Sequence, residues 1–127
     1  KETNNDDNDK FKYFNFDIVF KAIVESNNLL ALFILFDIGM NINARDQISK
    51  RTLLHWAVQK GKIFLVKLLL SNKFIDPLLK DEFGESPLVY SLKYGKTEIF
   101  FEFMKHKMIV DSLNYDEFYV HNVQYVL

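Results

Sequence analysis

The histidines are the side chains in this sequence best suited to bind a metal ion or to act as a catalytic base. Three are present, at His55, His106 and His121. On a helix, a second ligand or a nucleophile for His55 would have to lie three or four residues later, where the chain has Val58 and Gln59. Neither side chain can serve as that ligand or nucleophile. We therefore expect no catalytic or metal centre at His55.

The remainder of the sequence offers no other catalytic or cofactor signature. The chain has no cysteine, which excludes a thiolate nucleophile, a thiolate metal site and a disulfide framework. It contains no G-x-x-x-x-G-K-[ST], G-x-G-x-x-G or H-E-x-x-H string. Acidic residues near His106 and His121 are interpreted as solvated helix ends and loops. We predict that the chain is not an enzyme and needs neither a cofactor nor a metal.

Composition restricts the remaining function classes. With 127 residues and 49% hydrophobic side chains, the chain can bury the core of one folded domain. The net charge of −1 argues against nucleic-acid binding, which requires a clustered excess of Lys and Arg. The longest apolar run, from Leu29 to Phe36, is far shorter than the roughly 20 residues of a membrane span. We expect no membrane insertion.

A repeated pattern organises the chain around the stretch from Arg51 to Leu70. This stretch has a helix cap at Thr52, two short apolar helix patterns and a turn glycine, Gly61, between them. A shift of 34 residues superimposes Ser86-Pro87-Leu88 on Thr52-Leu53-Leu54, and the opposite shift brings an earlier apolar segment into the same frame. Three units of two helices indicate a helical repeat array.

The motifs of the second and third units resemble the ankyrin repeat. They are Thr52-Leu53-Leu54-His55, followed by Ala57 and Gly61, and Asp81-x-x-Gly84-x-Ser86-Pro87-Leu88. The resemblance implies an all-α solenoid of helix–turn–helix units, with hairpin-like connecting loops and terminal capping segments. It also implies that His55 is structural, bonded to the backbone and to the cap hydroxyl.

The pattern predicts the following organisation. Residues 1–10 form a polar tail or linker, and residues 11–127 form the repeat domain. The repeats span about 14–46, 47–80 and 81–113, and a C-terminal cap helix covers about 114–127. Predicted helices within the repeats are Ile18–Glu25, Leu29–Asp37, Thr52–Lys60, Ile63–Ser71, Pro87–Tyr94 and Thr97–Lys105.

Two details of the N-terminal region carry further expectations. Asp17 is predicted to cap the first helix, and Asn27-Asn28 to form the turn that follows it. The segment from Phe11 to Phe16 alternates aromatic and polar residues, as a short strand would. We favour instead an extended arm or helix extension that covers the end of the stack, since terminal repeats need a cover.

The resemblance implies that partner proteins bind the concave face formed by the first helices and the connecting loops. On this basis the predicted partner-binding residues are Trp56, Gln59, Lys60, Glu82, Phe83, Tyr90, Lys93, Tyr94, Ile48 and Lys50. Trp and Tyr are enriched among the residues that dominate binding energy. The alternative for Trp56 is burial between neighbouring first helices.

The outer helices of the first two units are apolar on nearly all sides, which is typical of a buried helix. The residues that should otherwise face solvent are Leu30, Phe33, Ile34, Phe64 and Leu68. Either the Phe11–Phe16 segment folds over them, or they form a convex docking face. In the second case the chain would have a structural or assembly function, self-associating or contacting other domains of its parent protein.

The sequence therefore predicts a non-catalytic protein–protein interaction module, a domain of a larger intracellular protein of the cytoplasm or nucleus. Its partner would be another protein, and the scaffold alone does not identify that partner.

Overall fold

The computed structural model describes residues 10–112, and every regular element in that range is a helix. The helices are α1 Phe16–Ser26, α2 Leu29–Asp37, α3 Leu53–Gln59, α4 Ile63–Ser71, α5 Pro87–Lys93, α6 Thr97–Met104 and α7 Lys107–Ser112. An isolated antiparallel bridge joins Arg45 and Thr52. The predicted all-α class is confirmed.

Side-chain caps explain where the first helix of each unit begins. The Thr52 hydroxyl accepts the backbone N–H of His55, and the Ser86 hydroxyl accepts that of Val89. Pro87 follows Ser86 at a position where its missing N–H removes no helical hydrogen bond. The predicted second helices Leu29–Asp37 and Ile63–Ser71 match α2 and α4.

The predicted cap of the first helix was wrong. Asn15, not Asp17, caps α1, and its side-chain oxygen accepts the backbone N–H of Ile18 at 3.1 Å. The earlier start lets Phe16 and Phe20 bury their rings in the core, and Asp17 then lies within the first turn. The turn after α1 forms as predicted, because Asn27 adopts a left-handed conformation with φ of 56°.

The helices stack as three antiparallel pairs. The first helices α1, α3 and α5 pack side by side in that order, and α4 packs on α6. Side chains with almost no exposed surface fill the space between the layers: Phe20, Val24, Leu32, Leu53, Leu54, Val58, Val66, Leu69, Leu88, Phe103 and Ile109. Truncating one of the larger side chains to Ala is expected to cost about 2–5 kcal/mol.

Two connecting loops, called finger 1 (residues 43–51) and finger 2 (residues 76–85), leave the stack at its side. Asp46 ties finger 1, since its Oδ2 accepts the amides of Ile48 and Ser49 at 3.1 Å. Asp81 ties finger 2, since its Oδ1 accepts the amides of Phe83 and Glu85 at 2.9 Å. The amide of Glu82 also donates to the carbonyl of Ser49 at 2.8 Å, so the two fingers are joined.

The segment before α1 forms a turn, not a strand. The amide of Phe14 donates to the carbonyl of Phe11, and the rings of Phe11, Phe14 and Phe16 contact one another at 5.2–6.2 Å between centroids. Phe11 and Phe14 are half-buried against the core. Because these rings pack here and the outer helices keep their apolar residues exposed, the first of the two explanations for those residues, a fold-back of the Phe11–Phe16 segment, is excluded.

At the other end, α7 follows α6 directly, without a finger, and buries Ile109. The sequence did not predict this helix. The predicted cap helix at 114–127 and nearly all of the predicted polar tail at 1–10 lie outside the described residues.

Candidate partner-binding surface

The predicted concave-face residues fall into two groups when their exposure is compared. Trp56 and Tyr90 are buried, with 7% and 2% of their surface exposed. Gln59 is half-buried. The others are exposed, and we call this exposed set together with Gln59 the concave patch: Ile48, Lys50, Gln59, Lys60, Glu82, Phe83, Lys93 and Tyr94.

Trp56 lies beneath a layer of charged side chains. Its indole Nε1 donates to Asp17 Oδ1 at 2.9 Å, which joins α3 to α1. Above the ring lie the guanidinium of Arg51, 4.9 Å from the centroid, and Lys60 Nζ at 6.0 Å. Lys60 Nζ also pairs with Glu25 at 3.1 Å. Trp56 therefore supports Arg51 and Lys60 from below and has little surface for a partner.

Tyr90 is a packing residue beneath Tyr94. Its hydroxyl donates to Asp81 Oδ2 at 2.6 Å, and burial together with this hydrogen bond raises the pKa of the Tyr90 hydroxyl. The Tyr94 ring meets the Tyr90 ring edge-on at 5.4 Å, and Lys93 Nζ lies 5.7 Å from the Tyr94 centroid. Tyr90 thus fixes the position of Tyr94, which is 38% exposed. The concave patch therefore includes Tyr94 and not Tyr90.

The finger tips add two exposed apolar side chains. Ile48 is 81% exposed and Phe83 is 75% exposed. Ile48 lies two residues after Asp46, and Phe83 lies two residues after Asp81. The two side chains therefore occupy equivalent positions at the finger tips. Exposed apolar groups on a fixed backbone bind with little loss of conformational entropy.

Gln59, at the end of α3, contains a buried acceptor. Its Oε1 has no hydrogen-bond partner among the described residues. An unpaired buried acceptor costs about 1–3 kcal/mol, and a rotation of the side chain towards a partner's N–H would relieve that cost.

His55 has the structural role that the resemblance implied. Nδ1 accepts the backbone N–H of Thr52 at 3.0 Å, and Nε2 then donates to the carbonyl of Glu85 at 2.8 Å. The ring is fully buried, and burial lowers its pKa. His55 thus links the start of α3 to finger 2. Across residues 10–112 no group of three His, Cys, Asp or Glu side chains could hold a metal ion.

The convex residues predicted as an alternative surface are all exposed. The exposed fractions are 70% for Leu30, 50% for Phe33, 52% for Ile34, 82% for Phe64 and 41% for Leu68. They lie on α2 and α4, and we call them the convex stripe.

Within the described part of the chain, no helix is both long and apolar enough to traverse a bilayer.

Sequence reasoning missed the two side chains that organise the surface around Trp56. Asp17 was predicted to cap a helix, although it accepts the indole N–H instead. Arg51 stands immediately before the capping Thr52 and no role was predicted for it, yet its guanidinium covers the indole. Nothing in the helical period alone signals either contact, because both join residues of different elements.

Comparison with known proteins agrees with this geometry. A family model described as ankyrin repeats in three copies matches residues 19–116. An ankyrin repeat protein of Rickettsia bellii is 37% identical over 67 residues, which cover 53% of this chain and 36% of that protein. An ankyrin repeat-containing protein of Schizosaccharomyces pombe is 44% identical over 52 residues, which cover 41% of this chain and 22% of that protein.

A solved structure shows the same arrangement. A chain in the complex of a predatory endopeptidase of Bdellovibrio bacteriovorus with an immunity protein superimposes with a TM-score of 0.59 and 25% identity. The match covers 69% of this chain and 45% of that chain. This chain thus spans less than half the length of each of these three relatives. With the helix pairs, the fingers and a family match over residues 19–116, the chain belongs to the ankyrin repeat family.

Proposed function

We propose that this chain is a non-catalytic, intracellular recognition module that binds a peptide or domain of a partner protein on the concave patch. Ankyrin repeats are in general protein–protein interaction modules, and the family is in general non-catalytic. The similar Bdellovibrio chain was solved in a complex of an endopeptidase with an immunity protein. The observation that carries the proposal is the set of exposed side chains held in place by buried ones.

The centre of the patch combines an aromatic ring with cationic groups. Tyr94 is oriented by Tyr90, and Lys60 by Trp56 and Glu25. Tyr is among the residues that most often dominate binding energy. A partner that covers this centre would bury the Tyr94 ring and exclude water from the Lys60–Glu25 pair, which strengthens that interaction.

The edge of the patch is formed by the fingers. Ile48 and Phe83 would contact apolar side chains of the partner, while Lys50 and Glu82 would remain at the solvated rim. Because Asp46 and Asp81 fix the finger backbones, the patch needs little rearrangement on binding.

The test compares capture by the wild-type chain with capture by the double variant Tyr94→Ala/Lys60→Ala. A partner retained by the wild type is purified, and its affinity is measured by calorimetry. Loss of hot-spot contacts of about 2 kcal/mol or more should weaken binding at least about thirtyfold. Circular dichroism should show unchanged helicity, because neither side chain belongs to the core.

The matched control is Phe64→Glu on the convex stripe, which should leave this affinity unchanged. Equal affinity of the wild type and the double variant would exclude the concave patch as the binding surface.

A second candidate function is assembly through the convex stripe. The exposed fractions of Leu30, Phe33 and Phe64, all at or above 50%, favour it, since large exposed apolar side chains on the outer helices supply the surface that such an association buries. Its occupant would be a second copy of this chain. Sedimentation velocity of the wild type and of Phe33→Glu/Phe64→Glu distinguishes it from the first candidate.

A further inference from the structure

A cavity of about 410 Å³ lies between the N-terminal turn and finger 1. Its volume falls in the range of ligand-binding pockets in proteins, roughly 300–1,000 Å³. It opens to solvent, and none of its lining residues belongs to the concave patch or to the convex stripe. The cavity and the concave patch thus share no residue, although both use finger 1, in which the lining residue Gln47 precedes Ile48 of the patch.

The lining combines an apolar floor with a basic rim. Phe11, Phe16, Met40 and Ala44 supply apolar surface, and Phe16 and Met40 are almost completely buried. Lys12 and Arg45 supply positive charge. Of the described residues that line the cavity, none is acidic.

Of the two rim cations, Arg45 has a fixed guanidinium, whereas the Lys12 ammonium lies over the exposed Tyr13 ring, 5.5 Å from its centroid. Arg45 Nη1 donates to the carbonyl of Lys80 at 2.9 Å, which orients the guanidinium and leaves its other N–H groups for an anion. The Lys12 carbonyl accepts Gln47 Nε2 at 2.8 Å, so the turn that carries Lys12 is joined to finger 1. A third cation, Lys10, is tied by its Nζ to the carbonyl of Ile38 at 2.8 Å, beside the lining residue Gly39.

The nearest acid in sequence forms no ion pair with this rim. Asp46 lies between the lining residues Arg45 and Gln47, but both of its oxygens are occupied by backbone amides. Oδ1 accepts the amide of Asp17, and Oδ2 accepts those of Ile48 and Ser49. Asp46 keeps its negative charge, but its oxygens bond to backbone amides and not to the guanidinium of Arg45, so the N–H groups of Arg45 that do not bond to Lys80 can bind an external anion.

We propose that this cavity is a second binding site, which takes an acidic peptide segment of a protein partner. An apolar side chain of the peptide rests on the floor of Phe16, Met40 and Ala44. A neighbouring carboxylate is bound by Lys12 and Arg45. The combination of an apolar floor and a basic rim selects a segment in which acidic and large apolar residues alternate.

The probe is a fluorescein-labelled peptide Glu-Phe-Glu-Leu-Glu, with binding to the full chain measured by fluorescence polarisation. Two matched peptides, Lys-Phe-Lys-Leu-Lys and Glu-Ser-Glu-Ser-Glu, remove the negative charge and the apolar groups in turn. We expect each of them to bind at least about tenfold more weakly. Equal binding of all three peptides would overturn the proposal.

Variants locate the site. Ala44→Phe fills the cavity without changing the charge and should abolish binding of the first peptide. Lys12→Glu should weaken it about tenfold, whereas Lys67→Glu on α4 makes the same change of charge elsewhere and should have no effect. Circular dichroism checks the folding of each variant, and Lys12→Glu keeps the test valid if Ala44→Phe does not fold. Wild-type affinity in a folded Ala44→Phe or Lys12→Glu variant would show that the peptide binds outside the cavity.

Two further variants distinguish this cavity from the concave patch and identify its occupant. Tyr94→Ala/Lys60→Ala should bind this peptide normally, so failure of the concave patch and failure of this site are distinguishable. The chain's own residues 1–9 contain Glu2, Asp6, Asp7 and Asp9. If the peptide binds only after residues 1–9 are deleted, the occupant is that segment, and the assignment to a partner protein is wrong.

Discussion

The buried imidazole of His55 is expected to make the stability of this fold depend on pH. His55 is fully buried, and its two ring nitrogens are used by the backbone of Thr52 and of Glu85. Protonation would convert Nδ1 from an acceptor into a donor that faces another N–H. The folded state therefore requires the neutral ring, which agrees with the lowered pKa that burial produces.

This arrangement predicts that the chain loses stability in mild acid. In the unfolded chain the imidazole takes up a proton near pH 6.5, while in the folded chain it does so only at lower pH. The stabilisation is complete above about pH 6.5 and is lost as the pH falls towards the lowered pKa, by up to about 1.4 kcal/mol per pH unit. Urea unfolding between about pH 7.5 and pH 5.5 measures it.

The variant His55→Gln removes the titrating group, so its unfolding free energy should be lower than that of the wild type but nearly independent of pH in this window. An unchanged pH dependence in His55→Gln would show that another group causes the acid sensitivity.

At the scale of elements, the predicted helices were the most accurate part of the sequence analysis. The second helices α2 and α4 were placed at their observed limits, and the others ended within a residue or two. These limits follow from local signals: capping side chains, proline at the first helical position and residues able to adopt positive φ. The cap of α1 was misplaced because Asn15 and Asp17 both carry capping side chains, and burial of Phe16 decided between them.

The candidate surface was predicted less well, because exposure depends on contacts between elements. The resemblance to ankyrin repeats places Trp56 and Tyr90 on the concave side, but both side chains are buried and donate hydrogen bonds to Asp17 and Asp81. The cavity beside finger 1 is lined by two separate stretches, 11–16 and 39–47, so neither stretch alone predicts it.

Finger 1 provides a prediction at this scale, because it has no glycine where finger 2 has one. Gly84 and Lys50 each precede the helix cap of the next helix by two residues, and both have positive φ, 79° and 62°. A non-glycine residue in the left-handed region is strained by roughly 1–2 kcal/mol. Lys50→Gly should therefore stabilise the chain, by up to about 1 kcal/mol once the greater freedom of glycine in the unfolded chain is subtracted.

Thermal and urea unfolding measure the gain. Lys80→Gly is the matched control: it removes the same side chain from an exposed loop position without positive φ, and it should give no stabilisation. If Lys50→Gly proved less stable than the wild type, the strain at finger 1 would be smaller than the entropic cost of glycine.

At the scale of the whole molecule, the two faces differ in how their exposed residues are supported. The concave patch is held by the Trp56–Asp17 hydrogen bond and the Lys60–Glu25 ion pair, which join the first two units, and by the Lys93–Glu85 and Tyr90–Tyr94 contacts within the third. The convex stripe consists of apolar side chains on α2 and α4, with Lys67 near Phe64 as a cation–π contact. The first arrangement favours selective recognition of a charged partner, and the second favours non-directional apolar association.

If the convex stripe joins two copies, sedimentation velocity should show a mass that rises with protein concentration, and Phe33→Glu/Phe64→Glu should sediment as a monomer at every concentration. Both rings are at least half exposed, so the double variant should unfold within about 0.5 kcal/mol of the wild type in urea at low protein concentration. Ile18→Glu on α1, where the side chain is 66% exposed and lies outside the stripe, is the control and should associate like the wild type. A wild-type chain that stays monomeric at every concentration, with the same solubility as Phe33→Glu/Phe64→Glu, would exclude self-association and leave the concave patch as the favoured binding surface.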